Sequence, residues 1–144
     1  MRKAIKKIGI CSLLTLGVLL SGCGGGSKTR HGLEKVDWLP SSASKINVFE
    51  TWGLANTKIY ECSIPEKEFR TFASQKNWPL VETNDVYVIF RHVLRLEPLR
   101  TINGAQINLV PHALFFERKA KNGGGITVVY DLETKRLFVD SSNR

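Results

Sequence analysis

Cysteine, histidine and the short motifs of catalysis are all scarce in this chain of 144 residues. Cysteines stand at 11, 23 and 62 and histidines at 31, 92 and 112, with no C-x-x-C or H-x-x-x-H pair among them. A structural zinc site takes about four ligands, so no metal and no cofactor is expected. Cys62 with His92 or His112 leaves only a scattered thiol–imidazole pair as a route to nucleophilic catalysis. No G-x-S-x-G elbow occurs. Asn122-Gly123-Gly124-Gly125 lacks the lysine and the following helix of a phosphate loop and reads as a turn between strands. Glu66 and Glu68 point to different sides of an expected helix, and Asp131 and Glu133 share a tight turn. Hydrolysis by two carboxyls across a cleft would need a distant pair such as Glu82 and Asp131. A long apolar run is missing too. Ile8 to Leu20 is uncharged, but it makes only about 20 Å of helix at 1.5 Å per residue, short of the roughly 30 Å hydrocarbon core.

What is present at the N-terminus has three parts. Arg2, Lys3, Lys6 and Lys7 form a positive segment, residues 8–20 an apolar one, and Ser21-Gly22-Cys23 a small-residue exit. That is the layout of a secretory signal peptide. Leu20-Ser21-Gly22-Cys23 resembles the lipobox of bacterial membrane lipoproteins. The resemblance implies cleavage between Gly22 and Cys23 and a diacylglyceryl thioether on Cys23. One acyl chain holds a protein only marginally, and stable anchoring takes a second signal, which two or three chains on one cysteine would provide. Gly24 stands where an aspartate favours inner-membrane retention in Gram-negative members of the family. The resemblance therefore implies the outer membrane, facing the periplasm, if the cell is Gram-negative.

Without residues 1–22, 122 residues remain, enough for one domain with its own core. Seventeen basic residues then face thirteen acidic ones, so the formal charge falls from +8 to +4. That modest balance and an exported location argue against a nucleic-acid partner. Cys11 leaves with the signal and Cys23 is lipidated, so Cys62 has no partner for an internal disulfide. It is expected to be a small buried hydrophobe. Residues 23–35, rich in Gly and Ser, are expected to be a flexible tether, followed by a single domain over 36–144.

Alternation of apolar and polar residues predicts strands near 46–52 and 58–64, with Tyr60, Cys62 and Ile64 on one face. Ser63-Ile64-Pro65-Glu66 has the spacing of a capping box with Ser63 at the N-cap. Phe69, Phe72 and Ala73 then supply the apolar stripe of a helix over about 64–77. A further strand begins at Val86, and residues 97–111 give no clear signal beyond the Asn103-Gly104 turn pair. Three strands over 112–119, 126–130 and 136–140 read as a C-terminal meander. The expected class is α+β: an antiparallel sheet of about five or six strands packed against one main helix. Leu39-Pro40, Ala43, Pro65-Glu66, Phe69, Gly123-Gly124-Gly125 and Val129-Tyr130-Asp131 together resemble small exported bacterial proteins, a resemblance that implies no activity.

The expected function is a membrane-anchored, non-enzymatic binding or assembly module of the cell envelope, with a membrane contact through the lipid on Cys23 and an envelope protein as partner. An inhibitor or immunity lipoprotein bound to one toxin or hydrolase is the alternative, and an envelope hydrolase with a scattered site a further one. The candidate binding surface is Tyr87, Arg91 and Arg95, which share a face if the strand keeps its alternation. Arginine and tyrosine are enriched at recognition surfaces.

Overall fold

A computed structural model of the chain describes residues 25–90, 100–102 and 105–143. In chain order its elements are β1 (Gly26–Leu33), β2 (Ser44–Trp52), β3 (Asn56–Ser63), α1 (Glu66–Gln75), β4 (Val81–Phe90), β5 (Arg100–Ile102), β6 (Ala105–Lys119), β7 (Gly125–Asp131) and β8 (Arg136–Asn143). One antiparallel sheet runs β1-β2-β3-β8-β7-β6-β4, and β5 pairs with β6. The α+β reading stands at this level, with more strands than the five or six expected.

Several boundaries differ from expectation, and the strand expected from Val86 already begins at Val81. Of the expected tether, Gly26–Leu33 is an edge strand in register with β2 from Gly26↔Trp52 to Leu33↔Ile46. Its composition is that of a linker, but pairing with a strand already buried on both faces overrides local propensity. The strand expected from His112 begins at Ala105. It pairs with β7 from Ala113 to Lys119, and β6, β7 and β8 pair antiparallel in chain order inside the sheet, between β4 and β3.

Side chains alternate across each strand, so one row of cross-strand partners shares a face. On the first face Ile46, Val48, Tyr60, Cys62, Leu137, Val139, Val128, Tyr130 and Leu114 form the main core under α1. The Phe69 ring stacks on Tyr130 at 4.5 Å, and the Tyr130 hydroxyl donates to the Ile64 carbonyl at 2.9 Å. Trp38 stacks on Tyr60 at 4.7 Å, and Trp78 meets Phe72 and Phe116. Trp38, Phe72 and Trp78 form one aromatic cluster, with ring centroids 5.4–5.9 Å apart.

The helix starts two residues later than its sequence signal. Pro65 is the N-cap and supplies no side-chain cap, while Phe69 N–H donates to the Pro65 carbonyl at 3.0 Å. Ser63 is still inside β3, paired with Arg136. Glu66 therefore sits in the first turn, where its carboxylate meets Arg70 and Lys135 instead of closing a capping box.

The second face is buried as well. Val129, Phe138, Ala113 and Val110 form one cluster, and Phe49 and Ile59 another. Val86 and Val88 pack onto the first of these, although they lie beyond the stretch of β6 that β7 reaches. The cause is a local break. Pro111 has no N–H to donate, and between the pairs Asn84↔His112 and Val86↔Val110 the residue facing it, Asp85, takes a left-handed φ of 56°. Val110 and Ala113, of opposite parity, consequently enter the same cluster.

Candidate functional site

The candidate groups that lie among the described residues take definite places. Cys62 is 1% exposed in the main core, and burial, with Glu61 beside it, pushes its thiol up to about 12. A thiol held there is a packing group, not a nucleophile. His112 is exposed, with Nδ1 2.8 Å from Asn84 Oδ1 and Nε2 3.8 Å from Glu133. His31 Nδ1 lies 3.3 Å from Asn47 Oδ1. His92 lies outside the described residues. Among the described residues no three His, Cys, Asp or Glu side chains are grouped to hold a metal.

The distant carboxylate pair does not form a cleft. Glu82 is exposed on β4, whereas Asp131 is buried and spent on its own turn. Asp131 accepts the Glu133 and Thr134 N–H groups at 2.8 and 3.1 Å and the Thr134 hydroxyl at 2.6 Å. Asn122-Gly125 is a hairpin turn, with Ala120 N–H donating to the Gly124 carbonyl and Asn122 Oδ1 accepting from Gly124.

Sequence reasoning missed two acids on the second sheet face. Glu61, 1% exposed, pairs with Arg136 and accepts from the Asn47 amide at 3.1 Å. Burial raises its carboxyl above the ordinary value, against the opposing pull of Arg136 and Asn47. Asp140 keeps an exposed rim, yet the protein packed around its carboxyl raises it. Register places Asp140 in one row with Thr127 and Glu117, on the wall of a shallow depression of about 130 Å³. The alternation of β8 was the available signal, since it puts Arg136, Phe138 and Asp140 on one side. What it could not tell is that this side is covered.

Larger concavities lie elsewhere. A groove of about 380 Å³ separates the 37–41 loop from α1. Another, of about 760 Å³, is the open flank of α1, where Glu66 and Arg70 already satisfy each other at 2.8 Å. Neither is lined by Glu82, Asp131, His31 or His112.

Among the described residues four large apolar side chains are exposed, two on β4 and two at the β2–β3 hairpin. Val81 and Tyr87 are 61% and 60% exposed on β4, the terminal strand of the sheet. Trp52 and Leu54 are 49% and 91% exposed at the tip of the β2–β3 hairpin. Of the expected binding surface, Tyr87 is thus placed at the protein's margin, while Arg91 and Arg95 lie outside the described residues. Cys23 and Gly22 also lie outside them. No helix among the described residues is long and apolar enough to cross a membrane. No family model, curated protein or solved structure matches the chain.

Proposed function

We propose that the protein is a lipid-anchored envelope lipoprotein that works as a non-enzymatic binding module, with its anchor at one margin of the sheet and its binding surface at the other. The lipobox-like Leu20-Ser21-Gly22-Cys23 supports the anchor. The observation that carries the binding role is the exposure of Tyr87 on β4, at the opposite margin from β1. Six inter-strand steps of about 4.8 Å separate the two margins along the sheet. Among the described residues β4 pairs only with β6, so its outer edge offers backbone donors and acceptors as well as an aromatic anchor. An added strand is recognised by such an edge, with affinity from the main chain and specificity from alternate side chains.

The test has two parts. Cys23→Ser is expected to move the protein from the membrane to the soluble fraction. A photo-crosslinking residue in place of Tyr87 is expected to trap one dominant species in intact cells, and the same residue in place of Thr71 on the outer face of α1 is not. A single stoichiometric toxin or hydrolase would narrow the role to inhibition. Equal capture from both positions, or capture from neither, would remove the β4 surface from the reading.

A further inference from the structure

The first described residues lie at the end of the sheet where Trp52 and Leu54 stand exposed. Gly25 and Gly26 lie against the β2–β3 hairpin: Gly26 pairs with Trp52, and a side chain at Gly26 would overlap the Trp52 indole. A Cβ at Gly53 would stand 3.1 Å from the Gly25 Cα. Successive Cα atoms are about 3.8 Å apart, so covalent geometry holds Cys23 within about 7 Å of Gly25 whatever its conformation. The lipid-bearing residue of the reading above is therefore next to Trp52 and Leu54, with no long tether between them.

The same end of the sheet is basic. Near it, a single row of partners crosses six strands, from Lys28 on β1 through Glu50, Lys58, Ser141 and Ile126 to Arg118 on β6. Lys58 and Lys119 answer Glu50 and Glu117 at 3.2 and 3.1 Å. Lys28, Arg118 and Lys121 are exposed and add positive charge beyond those pairs. An indole prefers the headgroup level of a bilayer, and cations beside it favour anionic lipids.

We infer that the β2–β3 hairpin tip is a second membrane contact, in which Trp52 and Leu54 dip into the interface of an anionic bilayer beside the lipidated Cys23. The occupant is a membrane rather than a protein because the anchor fixes which surface this end must meet. The contact rests on the lipoprotein reading, and it turns a lipid that merely tethers into one that also sets the domain's orientation.

The full lipoprotein, reconstituted in phosphatidylethanolamine–phosphatidylglycerol vesicles carrying a brominated phospholipid, tests this. Brominated chains are expected to quench part of the tryptophan emission. Trp52→Phe is expected to abolish that part, because Trp78 is buried and Trp38 is stacked in the core. Leu54→Asp, at a position 91% exposed and so harmless to the fold, is expected to weaken it with all tryptophans in place. Co-flotation with the vesicles without lipid quenching overturns the hairpin contact and leaves the anchor standing. Shielding of Trp52 from acrylamide without lipid quenching overturns it in favour of a protein cover. Failure to float at all overturns the anchor, and the inference with it.

Discussion

Glu61 is the residue whose environment departs furthest from its chemistry. A carboxylate at the centre of a sheet face is tolerated because Arg136 and Asn47 meet it. Asn47 is in turn held by the Gly32 N–H at 3.1 Å. Removing one partner of a buried ion pair leaves an uncompensated charge and costs roughly 3–5 kcal/mol. Arg136 keeps 22% of its side chain exposed, so Arg136→Leu is expected near the lower end of that range. The sign of its pH dependence follows from the raised carboxyl. A folded-state value above the unfolded one means the native state binds the proton more tightly, so stability falls as pH rises through that window. Loss of Arg136 raises the Glu61 value further. The deficit of the variant against the parent, measured by urea unfolding, is therefore expected to shrink between pH 7 and pH 5. A deficit that stays constant would mean that Glu61 remains charged without its partner. Gly125 makes a different demand. A Cβ there would run into the Arg118 carbonyl across the hairpin, and Gly125→Ala is expected to cost about 1–3 kcal/mol by overpacking, read as a lower thermal midpoint.

Among the elements, α1 and β3 show what sequence could and could not say. The stripe of Phe69, Phe72 and Ala73 identified the buried face of the helix, and all three are buried. The alternation of Tyr60, Cys62 and Ile64 likewise placed them in the main core. Both signals are local periodicities, which survive whatever else the chain does. The helix start was misread because Ser63-Ile64-Pro65-Glu66 has the letters of a capping box while β3 still needs Ser63 for its ladder to Arg136. Ser63→Ala is accordingly expected to change stability by less than about 0.5 kcal/mol, below the typical cost of about 1 kcal/mol for losing a cap. Phe69→Ala, which empties the space over Tyr130, is expected to cost about 3–5 kcal/mol. Denaturant titration of the two variants separates the two accounts of where the helix is held. The exposed Tyr87 of β4 was visible as a candidate in the sequence. The cover on the second sheet face was not, since it depends on the break at Asp85 and Pro111 and on contacts between strands far apart in the chain.

At the scale of the whole molecule, the stretch with the weakest sequence signal changes the architecture most. Residues 26–33 read as tether because Gly, Ser, Lys and His carry little strand propensity, yet β1 covers the outer edge of β2. Deleting residues 24–33 downstream of Cys23 is expected to lower the thermal midpoint and promote aggregation, because an edge carrying Ile46, Val48 and Phe49 would lie open to strand pairing. A true linker would tolerate the deletion, and light scattering on heating distinguishes the two. The register of β1 also has a mechanical consequence. A pull on the chain ahead of Gly26, with the far margin of the sheet held, runs across the strands, because that margin lies six strand spacings to the side. It loads the terminal pair Gly26↔Trp52 first, and the ladder to Leu33↔Ile46 opens pair by pair, like a zipper. Under such a load β1 is the strand that yields first.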